Sequence, residues 1–409
     1  MGDSERSVYE RAERVARQSR GRLVAYLAAR TRDLADAEDA LAEAFRVALE
    51  TWPARGIPDN PEAWLLTVAR RRLTDAFRRE GVLEEKKGEI ARMHGASREA
   101  RVPGNFPDQR VDLLFVCAHP AIAPEARTPL MLQTVLGMDA NRIAAAFLSS
   151  PAAMAQRLVR AKRKIKQAGI AFALPEAPDL PERLEAVLEA IYGAFTSSWT
   201  GLETGEAGRR APAEEAVYLA RLLAEYFHES PEAAGLLALL LFCDARKGAR
   251  LVGGRYVPLR RQDPELWRSD MLEEAEGLLR AASMRNRPGR FQLEAAIQSA
   301  HIRGILTGAT DHEDIALLYE GLLAYSPTIG VYVGRAAAAA DALSPEVGLR
   351  LLEELPEESV RDYQPFWAVK TSLLQRMDRG DETRTSYLRA LGLTADPAVR
   401  EFLREQYEQ

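Results

Sequence analysis

The stretch that decides the fold is DANRIAAAFLSSPAAMAQRLVRAKRKIKQAG, residues 139–169. Alanine and unbranched side chains dominate it, and apolar residues recur at spacings of three and four, as in an amphipathic helix. Ser150 followed by Pro151 is a typical helix start, and Gly169 is a typical helix end. The sequence therefore predicts a short helix, a tight turn and a longer basic helix.

The same pattern extends outward through most of the 409 residues, which are 47% hydrophobic and 28% charged. Runs of β-branched residues are scarce, so the sequence predicts an all-α fold. We expect two small helical domains, the second a helix-turn-helix, followed by a larger helical C-terminal domain. The predicted segments are a first domain at 5–82, a linker at 83–108, a second domain at 109–171, and an extension at 175–409 with subdivisions at about 175–288 and 289–409.

Several local signals mark the ends of predicted elements. A helix is expected from near Asp36 to just before Pro53, and Asn60 is expected to cap the next helix. The pair Gly253-Gly254 marks a turn in an irregular loop or hairpin. Beyond residue 290, alanine-rich amphipathic segments of similar length suggest helix pairs stacked as in tetratricopeptide proteins, although no repeat matches that signature cleanly.

Charge is distributed unevenly along the chain. Residues 1–175 hold 29 lysines and arginines against 22 acidic residues, a net charge of +7. The rest of the chain holds 26 against 38, a net charge of −12. This asymmetry suggests that the first part binds a polyanion, and that the acidic extension packs on the basic faces.

The predicted helix-turn-helix gives these charges a specific use, because the second helix of such a unit enters the major groove of DNA. Gln156 can pair with adenine, and Arg157 and Arg160 can pair with guanine. Lys162, Arg163 and Lys164 lie where the helix would leave the groove, so we expect them at phosphates. The inward contacts are expected from Ile143, Phe147, Met154 and Leu158.

A second basic cluster lies in PEAWLLTVARRRLTDAFRRE, residues 61–80. Trp64 is accompanied there by five arginines within ten positions: Arg70, Arg71, Arg72, Arg78 and Arg79. Aromatic and cationic side chains together suit unstacked bases and single strands. Upstream of it, residues 33–43 form an acidic stretch that is either a solvated face or a docking site for a basic protein helix.

No sequence feature supports catalysis. Phosphate-binding loops, dinucleotide fingerprints, nucleophile elbows and zinc-protease motifs do not occur. The Cys117-Ala118-His119 triplet lies in an apolar stretch without further ligands nearby, so we expect it in the core. The chain is therefore expected to be neither an enzyme nor a holder of a metal or cofactor. Without an apolar run of membrane-spanning length or a secretion signal, a cytoplasmic protein is expected.

Placed in order, these units resemble a known family. DAEDALAEAFRVALETWP (36–53), PEAWLLTVARRRLTDAFRRE (61–80) and the helix-turn-helix ending at Gly169 resemble bacterial RNA polymerase sigma factors of the extracytoplasmic-function group. The segments LLFVCAHPAIAPEAR, APDLPERLEAVLEAIY, GLLALLLFCDARKGAR and GRFQLEAAIQSAH resemble the subgroup with a long helical C-terminal extension. The resemblance implies a promoter-specificity subunit whose partners are core RNA polymerase and promoter DNA.

The resemblance also implies roles for particular residues. The helix that binds core polymerase is matched by Asp36, Glu38, Asp39, Leu41, Ala42 and Phe45. The loop 53–61 with Trp64, Arg70 and Arg71 matches the part that opens the minus-ten element, where a base leaves the stack. Ala155, Gln156, Val159 and Arg160 match the positions that read the duplex minus-thirty-five element. The extension is expected to modulate activity through an intramolecular or protein partner.

Two alternatives remain at this stage. A helix-turn-helix regulator with a helical sensing domain would bind duplex DNA alone, as a dimer on a palindrome. A helical scaffold would use its basic patches only as surface, so replacement of Arg157 and Arg160 would leave every activity untouched.

Overall fold

The computed structural model describes residues 19–79, 108–176, 178–199 and 207–407. These parts contain 19 α-helices and a single two-stranded hairpin, which confirms the all-α prediction. The chain divides into two compact units, Met1–Ser198 with Ala207–Leu219, and Trp199–Glu206 with Ala220–Gln409. None of the described helices is both long and apolar enough to span a bilayer.

The first unit contains the N-terminal helices and the start of the predicted extension. Its helices are α1 (19–31), α2 (Leu34–Arg55), α3 (Pro61–Arg79), α4 (Arg110–Cys117), α5 (Pro124–Thr134), α6 (Ala140–Ala146), α7 (Pro151–Gln167), α8 (Leu180–Trp199) and α9 (Ala207–Tyr226). The unit includes α8 as far as Ser198 and α9 as far as Leu219. Leucines of α1, α2 and α3 are buried, among them Leu23, Leu41 and Leu65, and so is Trp52, which is 1% exposed.

Side-chain caps start these helices at the predicted places. The Asn60 Oδ1 atom accepts from the Ala63 amide at 3.0 Å, and the Ser150 hydroxyl accepts from the Ala153 amide at 3.2 Å. Helix α2 differs from the prediction because it continues through Pro53 to Arg55. Pro53 lacks the N–H that would donate to the carbonyl four residues earlier, so one hydrogen bond of the helix is lost, while the Gly56 amide still donates to the Trp52 carbonyl at 3.0 Å. Gly56, at φ 81°, then ends the helix.

The second unit continues with helices α10 to α19. They are α10 (Pro231–Ala245), α11 (Ser269–Ser283), α12 (Arg290–Thr307), α13 (His312–Leu323), α14 (Ile329–Ala342), α15 (Pro345–Glu353), α16 (Glu357–Val360), α17 (Gln364–Arg376), α18 (Gly380–Leu393) and α19 (Pro397–Tyr407). Residues 236–241, five leucines and Ala238, are buried on every side of α10, which packs against α11 and α12. Beyond α12, helices adjacent in sequence pack side by side, including α13 with α14 and α17 with α18.

The predicted turn at Gly253-Gly254 is confirmed as a hairpin. Strands β1 (Leu251–Val252) and β2 (Arg255–Tyr256) pair antiparallel, and both glycines adopt positive φ values of 59° and 80°. These values favour glycine, because they place a side chain against the backbone. The Tyr256 ring contacts Phe402 of α19 edge-on, with 5.5 Å between ring centroids.

Candidate nucleic-acid interface

Helix α2, in the first unit, carries the residues predicted to bind polymerase, and most of them are at least partly exposed. Asp39 and Ala42 are exposed, and Asp36 and Phe45 are partly exposed. Leu41 is only 1% exposed, because it lies on the side of α2 that packs into the core. Leu41 therefore supports this surface from below and is not part of it.

The carboxylates on α2 pair with the basic helix α7. Glu38 binds the Lys162 ammonium at 2.5 Å, and both side chains are nearly buried, with exposures of 12% and 14%. Lys166 binds Asp33 at 2.5 Å and lies 3.7 Å from Asp36. Burial raises the pKa of the Asp33 carboxyl, but the hydrogen bond from Lys166, the Asp36 amide and the lysine charge outweigh it and leave that pKa lowered.

The ion pairs of Lys162 and Lys166 join α7 to α2. An ion pair forms between charges that the fold brings within about 4 Å, whatever the net charges of the segments. In this conformation Lys162, a predicted phosphate contact, is held at Glu38.

Helix α3 carries the second predicted nucleic-acid surface beside α2. The Trp64 ring is partly exposed and contacts the buried Trp52 ring edge-on, with 5.5 Å between centroids. Arg71 and Arg72 are exposed, and Arg72 also pairs with Glu43 of α2 at 2.7 Å. Arg70 is partly exposed, whereas the side chains of Arg78 and Arg79 lie outside the described residues. The described part thus combines an aromatic edge with a cationic surround.

Helices α6 and α7 form two consecutive helices joined by residues 147–150. Ile143, Met154 and Leu158 are buried as predicted. Phe147 was predicted to point inward, but it is 39% exposed. Helix α6 already ends at Ala146, so Phe147 lies in the turn and not on the inward face of the helix. Leu148 follows at φ 48° and is 98% exposed.

The outer face of α7 contains the residues predicted to read DNA. Ala155, Gln156, Val159, Arg160, Arg163 and Lys164 are all exposed, and Arg157 is partly exposed. Within the first unit, the cations Arg157, Arg160, Arg163 and Lys164 have no ion-pair partner among the described residues. A row of uncompensated cations on one helix face attracts a polyanion, because binding releases the counterions that the polyanion has condensed.

The start of the extension is built into the same unit, which the sequence patterns did not reveal. Arg183 of α8 donates to the Phe115 carbonyl of α4, and Glu182 pairs with Arg127 of α5 at 3.0 Å. Arg142 of α6 donates to the Ser197 carbonyl of α8 at 3.0 Å. Helix α8 therefore contacts the predicted helix-turn-helix domain directly, and Glu215 of α9 pairs with Arg110 of α4 in the same domain.

The Cys117-Ala118-His119 triplet lies at the end of α4 and has a structural role. Cys117 is fully buried, and burial raises the pKa of its thiol to about 12, despite a hydrogen bond with Thr134. The His119 ring accepts from the Ala121 amide at 3.0 Å and so stabilises the turn after α4. A thiol with so high a pKa carries almost no thiolate, which is the reactive form.

Comparison with known proteins gives three matches. The model of sigma-70 region 2 matches residues 15–82, which include α1 to α3. The model described as a family of unknown function (DUF6596) matches residues 183–283, from α8 to the end of α11. The chain is similar to "Uncharacterized protein R00370" of Rhizobium meliloti (strain 1021), with 35% identity over 405 residues that cover 96% of this chain and 93% of that protein. No solved structure matches the chain.

Proposed function

Because this chain belongs to the protein family that includes R00370 of Rhizobium meliloti and has a sigma-70 region 2, we propose that it is a promoter-specificity factor of the extracytoplasmic-function group. Sigma-70 region 2 is a module of transcription factors that bind RNA polymerase and promoter DNA. The proposed activity is to bind core RNA polymerase in the cytoplasm and direct transcription initiation, without covalent chemistry. The observation that carries the proposal is the region 2 match over α1 to α3.

We assign polymerase binding to the exposed side of α2 and opening of the minus-ten element to α3. Asp36, Glu38 and Asp39 supply negative charge on α2, and Phe45 supplies an apolar contact. On α3, the partly exposed Trp64 edge lies among arginines that can neutralise a single strand while its bases stack. In this proposal residues 5–82 form region 2.

Duplex recognition is assigned to α6 and α7 as a helix-turn-helix within region 4, residues 109–171. Gln156 and Arg160 lie on an exposed face of α7 together with Ala155 and Val159, where base edges can be reached without unfolding the helix. Arg163 and Lys164 lie further along the helix and would contact phosphates. Residues 83–108 would link the two DNA-reading domains.

The extension, residues 175–409, would modulate this activity. The support for this part of the proposal is the contact of α8 and α9 with the helices of region 4. These contacts include the Arg142–Ser197 hydrogen bond and the Arg127–Glu182 ion pair. A segment bound so close to α6 and α7 can influence how region 4 engages its target.

The test is transcription in vitro with purified full chain, core RNA polymerase and genomic DNA fragments, followed by mapping of the start sites. We expect transcripts from defined promoters only when both proteins are present. Replacement of Arg157 and Arg160 by alanine should change or abolish promoter choice, whereas a scaffold would be unaffected. Tight, specific binding to duplex DNA without polymerase would instead support a helix-turn-helix regulator.

A further inference from the structure

Arg246, at the end of helix α10, is a buried cation whose hydrogen bonds go to neutral acceptors. It is 5% exposed, and its guanidinium donates to the Phe242 carbonyl at 3.0 Å and to the Gln298 side-chain oxygen at 2.7 Å. The Cys243 sulfur is a further contact. In the part of the chain that the structure describes, no carboxylate lies within 4 Å of this guanidinium. A buried charge without a counter-charge is costly, so this position is a candidate site for an anion.

The contacts of Arg246 do not neutralise its charge. Burial raises the pKa of the Cys243 thiol above its usual 9.0, so this thiol stays protonated at pH 7 and does not act as a counter-ion. Burial also lowers the pKa of Arg246, and Cys243 and Tyr256 offset this only in part. A guanidinium nevertheless remains charged at neutral pH. The end of α10 therefore keeps a buried positive charge.

Further basic side chains lie close to Arg246. Burial lowers the pKa of Arg250, and the charge of Arg246 lowers it further. On α12, burial lowers the pKa of His301 to about 4, and the charges of Arg260 and Arg246 add to that effect. At pH 7 the His301 ring is therefore neutral, while the three arginines of this basic cluster (Arg246, Arg250 and Arg260) stay charged. An anion bound among them would relieve their mutual repulsion.

Two acidic residues beside the basic cluster pair with cations other than the buried guanidinium. Asp341 of α14 accepts from Arg260 and, at 2.9 Å, from Arg376 of α17. Glu294 of α12 pairs with Arg290 of the same helix at 2.7 Å. Each lies close enough to influence the pKa of a group in or beside the cluster. Because these carboxylates are already paired, they leave the buried part of the cluster positive.

The basic cluster is open towards solvent, and its donors suit an oxyanion. Gln298 and His301 are partly exposed, and the Arg260 side chain is 62% exposed, so a solute can approach the buried Arg246 from that side. The Phe242 and Gln298 oxygens use only part of the N–H donors of Arg246, and a guanidinium fork binds carboxylate or phosphate in a bidentate manner. We propose that the cluster binds the oxyanion group, a carboxylate or a phosphate, of a small solute. This ligand site lies within the second unit and does not depend on the proposed role in transcription.

Hydrogen exchange of the full-length chain tests the site with two simple probes, inorganic phosphate and acetate. Each is added at pH 7 and compared with sodium chloride at the same ionic strength, without polymerase or DNA. We expect about 50 mM of a bound anion to slow exchange of the α12 amides about tenfold, as it does when its concentration is about nine times the dissociation constant. A response to phosphate alone assigns a phosphate ligand, and a response to acetate alone assigns a carboxylate.

The Gln298→Glu substitution supplies the matched perturbation, because it places a carboxylate where an oxygen already accepts from Arg246. The new carboxylate takes the role of the bound anion. We therefore expect exchange of the α12 amides to slow about tenfold without any added anion, and added phosphate or acetate to have no further effect. The control is Gln375→Glu, which adds the same charge at an exposed position of α17 and should keep the exchange rates and the anion response of the unmodified chain.

A measurement on the unmodified chain locates the anion even if Gln298→Glu fails to fold. In an NMR titration, the bound anion should raise the pKa of His301 from about 4, because a nearby negative charge favours the protonated ring. An unchanged pKa of His301 overturns the proposal, and so does exchange that neither anion slows. Equal slowing in the unmodified chain and in Gln298→Glu also overturns it, because phosphate stabilises folded proteins in general when it is excluded from their surfaces. Each of these results leaves the proposed role in transcription untouched.

Discussion

The buried ion network around Arg110 should determine how firmly helix α9 is held to helix α4. Arg110 at the start of α4 is 6% exposed and pairs with Asp108 at 2.5 Å and with Glu215 of α9. The Tyr218 hydroxyl donates to Asp108 at 3.1 Å, and the guanidinium lies 4.6 Å from the Tyr218 ring centroid. We predict that Arg110→Gln destabilises this part of the molecule strongly, whereas Glu215→Gln does not.

Asp108 and Glu215, the two ion-pair partners of Arg110, contribute unequally to the stability of this network. Burial raises the pKa of Asp108, but the hydrogen bond and charge of Arg110 outweigh burial and leave that pKa lowered. At Glu215 burial is the largest effect, and the pKa stays raised although Arg110 is adjacent. Ionised Glu215 therefore recovers less than its burial costs. Glu215→Gln should change the free energy of unfolding by less than about 1 kcal/mol, while Arg110→Gln leaves two carboxylates unpaired at a cost of about 3–5 kcal/mol.

Hydrogen exchange of the full-length chain measures the local stability of α4 and α9, since the exchange rate of an amide depends on how often its own helix opens. Arg110→Gln should accelerate exchange in both helices by at least about a hundredfold, because 1.4 kcal/mol corresponds to a factor of ten. Arg268→Gln is the control, as its ion pair with Asp270 is exposed and should have no measurable effect. Equal effects of Arg110→Gln and Glu215→Gln would refute the unequal division between the two carboxylates.

The remaining predictions concern three other sites. Burial lowers the pKa of His301 from 6.5 to about 4. Between pH 6.5 and 4 the unfolded state therefore binds a proton that the folded state does not bind. The free energy of unfolding should fall by about 3 kcal/mol as the pH is lowered through this range. In urea unfolding, the His301→Gln variant should lose this pH dependence of the unfolding free energy, whereas a variant of the exposed His228, His228→Gln, should keep it. Identical pH profiles for the two variants would contradict the role assigned to His301. The Leu148→Gly substitution should raise the free energy of unfolding by about 0.5–1 kcal/mol, because Leu148 is exposed and has a positive φ that strains a leucine but not a glycine. A lower melting temperature of this variant would show that the strain is absent. In promoter-binding assays with polymerase, Arg160→Ala should change the preference between sequences of the upstream element by about 1–3 kcal/mol. Lys164→Ala should weaken binding to all promoters alike. Uniform weakening of binding by both variants would reject these roles.

The local features of the fold could be predicted from the sequence because they depend on nearby residues. The caps at Asn60 and Ser150 and the turn at Gly253-Gly254 are set within four residues of the chain. The misplaced end of α2 at Pro53 shows the limit of such signals, since a proline removes one hydrogen bond from a helix without always ending it. Phe147 shows another limit, because the inward face of α6 depends on where the helix ends.

The contacts that join distant segments could not be predicted in this way. Lys162 and Glu38 are 124 residues apart, and Arg110 and Glu215 are 105 residues apart. Periodicity and composition place each of these side chains on a helix but contain no information on which helices meet. Gly21 of α1 lies against the Val135 carbonyl, but a glycine in the sequence does not say which segment approaches it.

The most direct test of the central claim is co-elution of the full-length chain with core RNA polymerase, coupled to transcription from a promoter identified by start-site mapping. We expect a stable complex and promoter-specific RNA that neither component makes alone. We also expect charge reversal at exposed Asp39 on α2 to weaken the complex while the chain stays folded. A folded chain that neither co-elutes with core polymerase nor directs any RNA synthesis would show that the protein is not a promoter-specificity factor.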